Sequence, residues 1–167
     1  MKYNIHSHIA KGSIIAFILI IINIIGQTTQ LVYESWFGWL SLATFFVGIV
    51  LSIIYFGKLE KEELTFSLLF THGFKAAAVA ICIVFVYTLL SVYIVFPGFI
   101  NKMMEEGILQ AKKLGKTEAE IKQYLAIGKK VFLAGSLMVN LFMGALAALI
   151  GSLLTKQLFP HPSITKQ

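Results

Sequence analysis

The polar side chains of this sequence that could bind or react lie in helical register rather than in a catalytic motif. Asn23, Gln27, Gln30 and Glu34 recur at i, i+4, i+7 and i+11, which is one face of a helix. Ser41, Thr44, Gly48, Ser52 and Tyr55 repeat the pattern, and so do Ser136, Asn140, Gly144, Ala148, Gly151 and Thr155; between them come only Thr88 and Ser91. Carboxamides and hydroxyls so spaced in apolar helices have two uses. They can line a polar path or a small-solute site, with Asn23 and Asn140 as ligands. Alternatively they can hold helices together, an Asn23–Asn140 contact contributing on the order of 0.6 kcal/mol. Adhesion is the default, because no Asp, Glu, Lys or His is expected deep in an apolar run, where ion-coupled transporters and proton relays place one. Glu34 falls at the rim of its run, where a solvated boundary charge is expected.

Other chemistries find less support. His6 and His8 are two apart near the N-terminus, with His72 and His161 far away in sequence, whereas a zinc site needs three or four convergent ligands; solvated or interfacial histidines are expected. The sequence has no G-x-S-x-G elbow, no H-E-x-x-H pair, no glycine-rich phosphate loop and no Asp. Glu105 and Glu106 are adjacent, about 100° apart on a helix and so poorly placed for paired acid–base work. Cys82 is the single cysteine and sits inside an apolar run, where a packed, inert thiol is expected. No enzymatic activity, cofactor or metal is expected.

The elements that would position these residues follow from composition. The chain is 167 residues long, 57% hydrophobic and 13% charged, with a mean hydropathy of +0.82. That leaves too little polar surface to cover a water-soluble globule, while a helix of about 20 apolar residues crosses a bilayer. Four such spans fit, at about 12–32, 36–57, 75–96 and 131–154, in a single domain. The first has the polarity of a signal peptide but no small-x-small cleavage pattern after it, only "QTTQLVYES", so it is read as a retained span. Trp36, Trp39 and Tyr55 mark the ends of the second. The apolar stretch 64–96 is too long for one perpendicular crossing, and His72 and Lys75 divide it. "LTFSLLFTHGF" is therefore assigned to the interface, with Lys75 snorkelling to the headgroups. Pro97-Gly98 ends the third span.

Residues 97–130 read as an extramembrane helical hairpin. At 100° per residue, Phe99, Ile100, Met103, Met104, Ile108, Ala111 and Leu114 share one half of the wheel, opposite Lys102, Glu105, Glu106, Lys112 and Lys113; Leu109 and Gln110 are exceptions. Gly115 is placed for a left-handed C-cap. Thr117 and Glu120 make a capping-box pattern that restarts a helix, with Glu118 and Lys122 at i,i+4. This second arm, with Ile121, Tyr124, Leu125 and Gly128 along one side, is expected to run unbroken into the fourth span. The apolar face of 99–114 has three possible seats: the bilayer, the connection between spans one and two, or a partner protein.

All 14 basic residues are Lys, and Arg is the usual fork for bases and phosphates, so nucleic acid is not an expected partner. The lysines divide evenly between the two sides of the membrane; the lysine-free first connection places both termini in the cytoplasm. The partners expected are the lipid bilayer and another membrane or envelope protein, or a second copy of the chain.

The order of features resembles domain-of-unknown-function family 4199, small four-span bacterial membrane proteins. The resemblance rests on "LTFSLLFTHGFKAA", "VFPGFINKMMEEG", "LGKTEAEIKQYLAIGKKVF" and "ALIGSLLTK", over about residues 60–156; the first two spans match in hydropathy alone. It implies a bacterial envelope membrane protein, here the inner membrane, and carries over no functional residue. The fold expected is an all-α integral membrane protein with four transmembrane helices and an amphipathic hairpin between helices three and four. The function expected is a non-catalytic partner-binding or assembly component; the alternative is a small-solute carrier or pore using the polar stripes.

Overall fold

The computed structural model describes residues 6–60 and 64–159, and of these all side chains except 6–7, 35, 124–127 and 129–132. Lys2, His161, much of the 58–63 charge cluster and the side chains of His6, Tyr124 and Leu125 thus lie outside the described residues. The architecture is all-α. Helix α1 spans His6–Thr28, α2 Ser35–Leu59, α3 Phe66–Leu90, α4 Phe99–Lys113 and α5 Glu118–Leu158. Four helical stretches are long and apolar enough to cross a membrane: His8–Thr28, Trp36–Leu59, Phe66–Val95 and Leu133–Leu158. Large apolar side chains cover the outside, with Phe17 64% and Trp39 74% exposed, a surface that hydrocarbon solvates and water does not. The chain is a multi-pass membrane protein.

In the bundle α1 packs on α3, α3 on α5, and α5 on α2. Helix α2 completes the ring against α1 and also touches α3 across the middle. Helices α1 and α5 therefore occupy opposite corners. The core is Phe45, Ile49 and Ile53 of α2 set against Ala76, Ala77 and Ala80 of α3 and Ala147 and Ala148 of α5. Small residues bring the backbones close. A Cβ at Gly12 of α1 would stand 2.6 Å from the Ala76 carbonyl oxygen of α3, and one at Gly151 of α5 would stand 3.2 Å from Val50 Cα of α2.

Two boundaries and one side chain differ from those expected. Helix α1 starts earlier and stops at Thr28, where the Thr28 and Thr29 hydroxyls donate back to carbonyls of the preceding turn. Gln30 then takes φ 63 and opens a single 3-10 turn, Leu31–Tyr33. Gln30 and Glu34 are consequently off the helical face they were expected to share with Asn23 and Gln27. Helix α3 is not divided at His72 and Lys75. It starts at Phe66, behind a Thr65 cap whose hydroxyl accepts from the Leu68 amide, and runs through both. The reason is packing: His72 lies on the same face as Leu69, Gly73, Ala76 and Ala80, and that face is buried. Helix α3 closes in a π turn, Ser91–Val95, where the Phe96 amide donates to the Ser91 carbonyl at 2.7 Å, and Pro97 ends it as expected. Cys82 is the third difference. It is exposed, on the bundle perimeter rather than packed inside.

The hairpin forms as its capping residues require. Gly115 has φ +74, and the Lys116 amide donates to the Ala111 carbonyl at 3.0 Å, the six-residue closure of a Schellman motif. The Thr117 amide donates to Glu120 Oε2 at 2.8 Å while the Glu120 amide donates to Thr117 Oγ1. The ion pair formed is Lys116–Glu120, at 3.3 Å; the expected Glu118–Lys122 pair is absent among the described residues. Helix α5 then continues without a break to Leu158.

Candidate functional site

The polar residues collect in the half of the bundle nearer α4. A cavity of about 340 Å³ opens there, lined by Asn23 and Gln27 of α1, Ser41 of α2, Thr88 and Ser91 of α3, and Ser136 and Asn140 of α5. A second chamber of about 490 Å³ adjoins it, sharing Asn23, Ser41, Thr88, Ser136 and Asn140. Apolar walls come from Leu19, Phe45, Ile81 and Val84. Opposite corner helices thus supply Asn23 and Asn140 to one space without pairing them. Asn23 Oδ1 instead accepts from the Tyr87 hydroxyl at 3.1 Å, and Asn140 Nδ2 donates to the Ser136 carbonyl one turn back at 2.8 Å. The expected Asn23–Asn140 contact does not form, because α1 and α5 sit diagonally. Among the described residues, Asn23 Nδ2 and Asn140 Oδ1 have no hydrogen-bond partner and remain available to a guest.

Most hydroxyls of the stripes are satisfied within their own helices. Ser41 donates to the Phe37 carbonyl, Thr44 to Leu40, Thr88 to Val84, Ser136 to Leu133 and Thr155 to Gly151, the back-bonding open to Ser and Thr in helices. Helix adhesion therefore comes from small residues in close contact more than from hydroxyls bonded across helices. The α5 stripe fits this description best: Gly144, Ala148, Gly151 and Thr155 are all buried. The α2 stripe splits, with Ser41 in the cavity, Thr44 and Gly48 on an outer groove toward α1, and Tyr55 exposed.

The first turn of α4 closes the cavity, with Phe99 and Met103 in its wall. Phe99 and Ile100 are buried against Val32 and Tyr33 of the α1–α2 connection, joined by Met103 and Met104. The Tyr33 and Phe99 rings stand 5.9 Å apart, and Lys102 Nζ lies 5.8 Å from the Tyr33 ring centre. Burial, and then the nearby Glu106 carboxylate, raise the Tyr33 phenol above its ordinary value. Of the three seats open to the amphipathic face, the structure selects the connection between the first two spans. Ile108 is partly covered, whereas Leu114 is 79% exposed at the hairpin tip, although the wheel puts it on the apolar side.

A second polar cluster was not foreseen. Lys11 Nζ of α1 donates to the Ser52 carbonyl of α2 at 3.0 Å and lies 3.4 Å from His72 Nε2 of α3. His72 is only 5% exposed and stacks on Phe56 with centroids 3.9 Å apart. Both residues belong to candidate spans, which corrects the expectation that ionisable residues stay outside the bundle. The sequence does carry a signal, since His72 shares its spacing with Gly73, Ala76 and Ala80, but a titratable residue near a run's end also reads as an interface marker.

The DUF4199 family, described as a protein of unknown function, matches residues 10–157. The chain belongs to this family. The match covers the first two spans as well as the region whose motifs carried the resemblance. No curated protein and no solved structure matches the chain.

Proposed function

We propose that this DUF4199 protein is a non-catalytic membrane component that binds a small, uncharged, hydrogen-bonding solute between its helices. The observation that carries the reading is the convergence of Asn23 and Asn140 on one cavity, with Asn23 Nδ2 and Asn140 Oδ1 uncommitted among the described residues. The cavity is at the small end of ligand pockets, which run from about 300 to 1,000 Å³. Among the described residues its wall holds carboxamides and hydroxyls and no ionisable group, so a neutral polar guest matches it better than an ion. The α4 turn carrying Phe99 would act as the lid. We place the protein in a bacterial inner membrane with both termini cytoplasmic, a reading supported by the lysine-free α1–α2 connection.

The test is thermal stabilisation of the protein in nanodiscs by a panel of neutral amides, polyols and nucleobases. A compound that stabilises the wild type but not Asn140→Leu, with the helical content of both unchanged, supports the reading. Equal responses to every compound would remove it. A second reading, assembly through the hairpin, is favoured by the exposure of Leu109 (60%) and Leu114 (79%). Under that reading Leu114→Glu dissociates an oligomer or envelope partner seen in native detergent extracts, and leaves solute binding intact.

A further inference from the structure

At the other end of the bundle, on observations independent of the cavity, we propose that half-buried Lys11 and buried His72 form a site for one proton shared between α1 and α3. The lysine amine has two neutral acceptors, the Ser52 carbonyl at 3.0 Å and His72 Nε2 at 3.4 Å. The rings of Tyr55 and Phe56 lie 5.1 and 5.4 Å from it, within range of cation–π attraction. No carboxylate pairs with it among the described residues. When Lys11 is an ammonium, it donates to Nε2, so the imidazole must be neutral with its hydrogen on Nδ1. When His72 instead carries the proton on Nε2, it must donate to an uncharged amine. Protonating both would set N–H against N–H, with two cations 3.4 Å apart repelling each other in a poorly screened setting.

The surroundings disfavour a second proton further. The groups facing the pair are His8 on α1, its ring edge-on to His72 at 6.1 Å, Tyr55 on α2 and Lys75 on α3. At this end α2 also carries exposed Lys58 and half-buried Glu60, and α5 carries exposed Lys156. Stacking on Phe56, whose ring is within 9° of parallel, fixes the imidazole so that it cannot easily turn away. The Ser52 hydroxyl, on the residue whose carbonyl receives Lys11, is buried with no hydrogen-bond partner among the described residues. The contact joins all three of α1, α2 and α3. A second proton would therefore have to pull α1 from its neighbours, next to the Gly12–Ala76 approach. Buried ionisable groups that pair within spans are how membrane proteins bind protons.

The experiment is a pH titration of the full chain in nanodiscs with 15N-labelled histidine. His72 is expected to hold one neutral tautomer, Nε2 accepting, through the range where ordinary histidines protonate. In Lys11→Met, which removes the competing charge, its midpoint should rise by at least about one pH unit. Lys11→Arg, which keeps a charge that cannot be lost, should leave His72 neutral as in the wild type. A wild-type His72 that protonates in the ordinary histidine range would overturn the proposal without reference to any variant. So would identical His72 midpoints in Lys11→Met and Lys11→Arg.

Discussion

The two halves of the bundle solve the same packing problem in opposite ways. In the half nearer the chain termini, Phe45, Ile49 and Ile53 fill the space between alanine and glycine faces of α3 and α5, and the helices nearly touch. In the half nearer α4, the same helices carry Asn, Gln, Ser and Thr, and a cavity remains between them. Lipid exerts no hydrophobic drive between helices, so close packing is what holds a membrane bundle together. The packed half supplies most of that. The open half is free to keep polar groups that contribute little to adhesion. A chain selected only for stability would have filled the space, and it is this contrast that points to a guest.

The contrast can be broken most sharply at Gly151. Gly151→Leu drives a side chain into Val50 and Ile53 and should destabilise the bundle by about 3 kcal/mol, the upper range for overpacking, read as a lowered unfolding midpoint in detergent. A cost near zero would mean that the packed half is looser than described. Asn23→Leu, in the open half, removes the Tyr87 hydrogen bond and should cost about 0.6 kcal/mol; a loss comparable to that of Gly151→Leu would make Asn23 a structural keystone rather than a ligand. The smallest effect belongs to neither half but to the hairpin. Hydrogen bonds from the Thr117 backbone and then its hydroxyl, followed by Lys116, lower the pKa of Glu120. Its ionised form is thus favoured by folding, so the contribution is whole above the unfolded carboxylate pKa and fades as pH falls through the lowered folded value. Protection of the Thr117 and Glu120 amides, taken relative to the unstructured exchange rate at each pH, should fall on acidification in the wild type and stay constant in Glu120→Gln.

Much of this was legible without coordinates. The hairpin was readable to the residue, because Gly115, Thr117 and Glu120 act through bonds to amides and carbonyls a few positions away, and the Pro97 stop is equally local. The small-residue stripe of α5 was readable for the same reason, since helical periodicity alone sets which residues share a face. What could not be read was which face meets which helix. An Asn23–Asn140 contact requires their helices to adjoin, and the bundle order that puts α1 and α5 on opposite corners is carried by no local pattern. His72 reads as interfacial because a titratable residue near the end of an apolar run is ordinarily solvated there, and no local pattern joins it to Lys11.

The sequence by itself determined the solvent of this protein, its four apolar helices and the caps of its hairpin, all consequences of composition and of interactions within a few residues. Only the tertiary structure decided that two asparagines share a cavity without touching, that α4 seats on the α1–α2 connection, and that a lysine and a histidine 61 positions apart come within 3.4 Å. Those facts depend on how helices are arranged around one another. In lipid that arrangement is chosen by the summed fit of many weak contacts, no one of which leaves a mark on the local sequence.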